Sequence, residues 1–169
     1  CSSDLCERVG VTDGDTLTLL TPDKQQVRVR LAEIDAPESG QPYGTKAKLV
    51  LSELAFGKNV QARVMDTDRY GRTVARVHEG VLDINAELVR RGAAWAYRKY
   101  LTDTTLLAVE AEAKTAQRGL WALPETERVA PWQWRHPSSA TRPPNSVLAM
   151  KENGGFACGA KRTCGQMSS

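Results

Sequence analysis

Apolar and polar positions alternate from Thr16 to Leu31. Leu17 and Leu19, then Val27, Val29 and Leu31, are set against Thr18, Arg28 and Arg30. A period of two is that of a strand with one buried face. Thr21-Pro22-Asp23-Lys24 between the two runs is turn chemistry. The pattern predicts a hairpin whose first strand begins beside Asp15 and whose second ends at Asp35. Leu5 to Val11 reads as an earlier strand leading into Asp13-Gly14, a strong turn signal. From Tyr43 to Phe56 the period becomes helical. Ala47, Val50, Leu51, Leu54 and Ala55 recur at three and four, and Gly57 suits the C-cap. Asn59 to Met65 and Arg72 to Val77 return to strand period around a turn at 66–71. Leu82 to Gly92 predicts a short helix with Asp83 as N-cap and Ile84, Leu88 and Val89 buried. Asp103 to Gln117 predicts the last helix, with Gly119 as its cap. Five strands and about three helices, one inserted between strands three and four, give an α+β, mainly β chain. The expected architecture is a five-stranded OB-like barrel.

After Leu123 the pattern stops. Pro124, Pro131, Pro137, Pro143 and Pro144 preclude a long helix. Residues 5–123 therefore read as the folded domain and 124–169 as an irregular C-terminal arm with a cysteine-bearing tail. Trp132 and Trp134 are expected to pin the arm to the domain. Arg128, Arg135 and Arg142 are expected to be exposed.

Composition changes this picture little. A chain of 169 residues fits one domain with an appendage, and a net charge of +3 is compatible with a polyanionic partner without requiring one. No run of 18 apolar residues exists, so no membrane span is expected. The cysteines are more informative. Cys1 and Cys6 lie close together, as do Cys158 and Cys164. An even number clustered near the ends suits disulfides in an exported, periplasmic or extracellular protein. The chain starts at Cys1, which suggests that an upstream segment was removed. A lipid anchor on Cys1 is the alternative use of that residue.

The candidate chemistry lies in Asp13-Gly14-Asp15-Thr16 and Arg30-Leu31-Ala32-Glu33-Ile34-Asp35-Ala36-Pro37-Glu38. In an antiparallel hairpin the start of one strand lies beside the end of the next. Asp15 and Asp35 are therefore expected to meet. Two adjoining carboxylates repel unless a cation or proton lies between them. With no His or Cys nearby, an oxygen-only site favours Ca²⁺ or Mg²⁺. Ala36 precedes a proline and is held extended, which leaves its carbonyl available as a further metal ligand. Glu38 can bind the metal or act as general base on a water. Arg30 adds a fixed positive charge. Such a set suits attack of water on a phosphodiester. Asp13 at the rim and Thr16 beside Asp15 are candidates to tune or orient the ligands. Trp95, Tyr97, Arg98, Lys99 and Tyr100 form an aromatic-basic patch. It serves either as packing beside the barrel or as a substrate-binding surface, with bases on Tyr97 or Tyr100 and phosphates on Arg98 and Lys99.

Three segments together, the two above and Thr67-Asp68-Arg69-Tyr70-Gly71-Arg72, closely resemble the staphylococcal nuclease (thermonuclease) family. The resemblance covers roughly Val9 to Trp121. It includes Gln41-Pro42-Tyr43-Gly44, Asn85-Ala86-Glu87-Leu88-Val89-Arg90-Arg91-Gly92, Ala111-Glu112-Ala113-Lys114 and Gly119-Leu120-Trp121. It implies an OB-like nuclease domain over 5–123. It also implies Ca²⁺ as cofactor, DNA and RNA as substrates with little sequence preference, and 3′-phosphate products. Asp15 and Asp35 would serve as metal ligands, and Arg30, Glu38 and Arg72 as catalytic residues. A tyrosine near Tyr97 would lie at the nucleotide pocket. The loop from Ser39 to Pro42 is short and lacks lysines, and the resemblance does not extend over the tail. The alternative from a different class is an OB-type module that binds single-stranded nucleic acid or a protein without cutting. Such a module has no use for clustered carboxylates.

Overall fold

The computed structural model describes residues 4–6 and 8–136. The cysteine pairing and the tail with Lys161 and Arg162 lie outside them. Burial follows the strand period read above. Leu17, Leu19, Val29 and Leu31 are all at most 1% exposed, on one face of the central hairpin. Each such side chain contributes about 1.5–3 kcal/mol on burial.

The strands are β1 (Asp4–Cys6), β2 (Arg8–Asp13), β3 (Thr16–Leu20), β4 (Gln26–Leu31), β5 (Ile34–Asp35), β6 (Val60–Thr67), β7 (Thr73–Glu79), β8 (Leu82–Asp83) and β9 (Trp95–Ala96). The main sheet has the order β1-β6-β7-β4-β3-β2, with β8 attached to β7. The hydrogen-bonded order is an open path. Its two ends, β1 and β2, are successive in sequence. Among the described strands only β4 and β7 run parallel, with Arg30 beside Val74. The helices among the described residues are α1 (Gly44–Ala55), α2 (Ile84–Arg90), α3 (Thr105–Thr115) and α4 (Pro131–Arg135). The architecture is α+β and OB-like, as the strand and helix periods indicated.

The helix signals fall close to their expected places. The Asp83 side chain accepts a hydrogen bond from the Ala86 N–H at 3.0 Å, so it caps α2 as expected. Helix α1 starts at Gly44 after Tyr43, which takes a left-handed φ of 70°. A Cβ on Gly44 would lie 1.9 Å from the Glu38 carbonyl oxygen, so only glycine lets the helix approach the loop that carries Glu38. At the end of α3 the sequence reading needs correction. Gln117, with φ of 48°, and not Gly119, takes the left-handed position directly after the helix. The backbone N–H groups of Ala116, Gln117 and Arg118 bond back to Glu112, Lys114 and Ala113.

Two further expectations are corrected. The first strand is divided into β1 and β2, which pair with different partners, β6 and β3. The strand entering the site does not run through to Asp35. It ends at Leu31, and Glu33 takes φ of 64°. The chain then resumes as β5, which pairs with β9 in a separate two-stranded sheet.

That break is heavily braced. Glu33 is 4% exposed. Its carboxylate accepts hydrogen bonds from the N–H groups of Thr102 (2.6 Å) and Asp103 (2.9 Å), and from the Thr102 hydroxyl. Arg76 donates to it at 3.1 Å. Burial opposes the charge of Glu33, but these bonds outweigh it and hold the carboxyl below the usual range. Buried Asn85 closes the same turn, accepting from the Val77 N–H and donating to the Ala32 carbonyl.

The arm departs from its expected extended form. Residues 125–127 make a single tight helical turn, and α4 follows, with Pro131 at its first position. Trp132 stacks on Tyr97 with ring centres 5.3 Å apart and meets Trp95 edge-on at 5.8 Å. It pins the segment as expected. Trp134 is 38% exposed and does not.

Candidate active site

The site is built where β3 begins and β4 ends. Thr16 pairs with Arg30 across the hairpin, and the Leu31 N–H donates to the Asp15 carbonyl at 2.9 Å. A bulge between Val11 and Asp13 bends β2 as it enters the Asp-Gly turn. A Cβ on Gly14 would lie 2.9 Å from that of Ala36, so this glycine lets the first acidic turn pack against the segment that carries Asp35.

The expected meeting of Asp15 and Asp35 takes place through Arg30. One guanidinium nitrogen of Arg30 lies 3.1 Å from Asp35 Oδ1 and 3.5 Å from Asp15 Oδ2. Asp35 is fully buried, and Asp15 retains only slight exposure. The Thr16 hydroxyl donates to Asp15 Oδ1 at 2.9 Å and so fixes that carboxylate. Asp13 stands at the rim and accepts a hydrogen bond from the Ser39 hydroxyl at 2.7 Å. This ties the first acidic turn to the loop that carries Glu38. Ala36 is buried directly after Asp35.

Arg72 reaches the groove from the turn before β7. Its backbone N–H and side-chain Nε both bond to Asp68, at 2.9 and 2.7 Å. Burial pushes the Asp68 carboxyl up, but the bonds from the Arg72 backbone and side chain and from the Tyr70 N–H together outweigh it and hold it below the usual carboxylate range. Asp68 therefore stays charged and aims the arginine. The groove has a volume of about 930 Å³, and its walls include Asp15, Arg30, Glu38, Arg72, Tyr97 and Tyr100.

The aromatic-basic patch is split by the structure. Tyr97, Lys99 and Tyr100 line the groove. Trp132 covers one face of Tyr97, and Tyr100 meets it edge-on at 5.2 Å. Tyr100 keeps more than half its surface exposed. Arg98 does not line the groove, contrary to expectation. Its guanidinium bonds at 3.1 Å to Glu110, a buried acid that also accepts from the Ala96 N–H and Lys114. Burial of Glu110 demands cations, and Arg98 and Lys114 supply them on one carboxylate oxygen, Lys114 at the shorter distance of 2.8 Å.

Sequence reasoning missed Arg135. Expected to be free at the surface, it instead donates to both oxygens of Asp35 and, at 2.6 Å, to Glu38 Oε1. One hundred residues separate it from Asp35, and no local period marks it. The only available signal is its position directly after two tryptophans able to dock the segment.

Burial is the main influence on Asp35 and raises its pKa to about 6. Arg135 and Arg30 oppose this, and the nearby Asp15 adds to it. The guanidinium of Arg135 is the more exposed partner and stays a cation throughout. The pair thus costs the carboxylate more than it costs the arginine, because the carboxylate alone is cut off from water.

Among the described residues, no group of three or more His, Cys, Asp or Glu side chains is placed to hold an ion. The site offers two converging carboxylates with cationic nitrogens between them. That donor set fits a hard divalent cation whose remaining ligands are carbonyls, waters or phosphate oxygens. Asp15 and Asp35 would hold it, with Ala36 as the candidate carbonyl.

Carboxylates alone would repel a phosphodiester, and arginines alone would bind it without cutting. Their union in one groove of an OB-like fold defines the class, an enzyme that hydrolyses phosphodiesters. Comparison with known proteins agrees. A family model described as staphylococcal nuclease homologue matches residues 28–123. A Haemophilus influenzae protein described as an uncharacterized endonuclease is 45% identical over 130 residues, spanning 77% of this chain and 72% of that protein. A micrococcal nuclease of Shigella flexneri is 42% identical over 143 residues, 78% of this chain and 80% of that one. A probable staphylococcal-like nuclease of Oryza sativa is 37% identical over 111 residues, 66% of this chain and 33% of that protein. The chain belongs to the staphylococcal nuclease family.

Proposed function

We propose that this nuclease cleaves DNA and RNA with Ca²⁺ held by Asp15 and Asp35, and that it leaves 3′-phosphate ends. The observation that carries this reading is the convergence of Asp15 and Asp35 on a single nitrogen of Arg30. Cleavage forms a bond from a water oxygen to phosphorus and breaks the bond from phosphorus to the 5′ oxygen. The bound cation would supply Lewis acidity towards a phosphoryl oxygen and lower the pKa of a water. Glu38 accepts the proton that the water loses, and a second proton must reach the departing 5′ oxygen. Arg30 and Arg72 stabilise the charge that grows on the equatorial oxygens, each with a planar fork that suits two phosphate oxygens. Asp13 and Thr16 hold the acidic turn in place. Tyr100 and Lys99 offer a base-stacking face and a phosphate contact on the groove wall.

The end chemistry can be tested directly. Labelled oligonucleotide products are expected to accept further extension by a polymerase only after phosphatase treatment. Products that extend without it carry 3′-hydroxyls and contradict the assigned bond. The paired cysteines support export as a further proposal, since disulfides persist in oxidising compartments. No described helix is long and apolar enough to cross a membrane.

Asp35 gives a pH dependence. Its folded pKa of about 6 lies above the ordinary aspartate value of 3.8. An acid raised in this way is protonated below its folded pKa and cannot then serve as an anionic ligand. Calcium affinity is therefore expected to rise with pH through about 6 and to fall about tenfold between pH 7.5 and pH 5. Calorimetric titration at the two values checks this. Affinity that stays flat down to pH 4.5 contradicts the burial argument.

A further inference from the structure

We infer that Arg135 is a third phosphate-binding arginine of this site, and that it reaches the phosphate only after a divalent cation takes its place on Asp35. The inference rests on the metal reading above. Its starting point is the number of bonds that Asp35 already makes. Arg30 and Arg135 both donate to Oδ1, and Arg135 also donates to Oδ2. A cation bound to that carboxylate must displace the Arg135 fork from at least one oxygen. It must also face the positive charge of the fork directly beside the buried Asp35. Arg135 and the cation are therefore competitors for the same two oxygens.

Arg135 is placed so that it can yield. It is at the last position of a five-residue helix, with its side chain 36% exposed. The helix itself stays anchored by Trp132 on Tyr97 and by the Gln41 side chain, which donates to the Val129 carbonyl at 3.0 Å. Gln41 also accepts from the Glu38 N–H at 2.8 Å, so the arm and the Glu38 loop are positioned by one side chain. Once released, the guanidinium remains within the groove that Arg30 and Arg72 line. Its next available partner of opposite charge is a phosphate. The exchange also frees Glu38 Oε1 from the Arg135 donor, which leaves that oxygen open to accept a proton from water.

The test measures binding, not turnover. Calcium is titrated calorimetrically into the full chain and into Arg135→Ala and Arg135→Gln. A fluorescent phosphorothioate oligonucleotide, which keeps its charge and resists cleavage, is then titrated at saturating calcium. Both variants are expected to bind calcium about three- to tenfold more tightly and the oligonucleotide about tenfold more weakly. Two variants with different side chains guard against a loss of folding in one, and thermal melts verify each. Calcium affinity that is unchanged or lower overturns the inference, as does unchanged oligonucleotide affinity. If the wild-type chain binds calcium and only the variant pattern fails, this inference alone falls. A wild-type chain that binds no calcium overturns the metal reading and this inference together.

Discussion

Glu38→Gln is expected to lower the cleavage rate by about 10²–10⁴ while leaving the fold in place, the range typical for loss of a general base. Structural disturbance should be small for three reasons. The Glu38 side chain is 39% exposed, its own backbone N–H is held by Gln41, and its side-chain partner among the described residues, Arg135, is anchored through its helix and not through Glu38. The amide keeps the size and one acceptor oxygen but cannot take a proton at neutral pH. Calcium binding should therefore survive while turnover falls. Single-turnover kinetics at saturating calcium, with a thermal melt alongside, separate the two effects. A variant that cuts within threefold of wild type contradicts the role of Glu38 as base. One that loses calcium binding instead reassigns it as a ligand.

Glu33→Ala is expected to destabilise the protein by about 3–5 kcal/mol, the range for removing one partner of a buried charged cluster. The substitution leaves the N–H groups of Thr102 and Asp103 without their acceptor and removes one partner of Arg76. Arg76 retains Asp83 and Asp103, at 2.7 and 2.8 Å, which is why the loss should stop short of the whole network. Glutamate and alanine both carry a Cβ at the φ of 64°, so the lost bonds and not the backbone set the change. Because Glu33 places β5, and with it Asp35, the variant should lose calcium affinity before it unfolds. Urea unfolding followed by tryptophan fluorescence gives the stability. A loss below 1 kcal/mol would mean that the break after β4 is held by Asn85 and the sheet alone.

Much of the site was legible because strand period fixes which residues share an end of a hairpin. Asp15 and Asp35 are neighbours for that reason, and Arg30 falls between them because it pairs with Thr16. Asp83 was legible as a cap because its short acid side chain suits the bond to the Ala86 N–H. The break at Glu33 was not, since a glutamate in a left-handed conformation carries no local sign of the four donors that await it from residues 76 to 103. Arg98 looked like a phosphate contact because sequence shows charge but not the buried Glu110 that claims it. Arg135 was hidden by distance along the chain. Its role depends on Trp132 finding Tyr97, a contact that no periodicity encodes.

The central claim is that Asp15 and Asp35 hold a cation against which Arg30 and Arg72 bind the scissile phosphate. The most direct measurement is digestion of a supercoiled plasmid and a single-stranded oligonucleotide with Ca²⁺, Mg²⁺ or EDTA, using wild-type protein and Arg30→Ala. Cutting that requires calcium, stops in EDTA and falls by about 10²–10³ in the variant is the predicted result. Cutting that persists unchanged in EDTA, or that Arg30→Ala leaves intact, would contradict it.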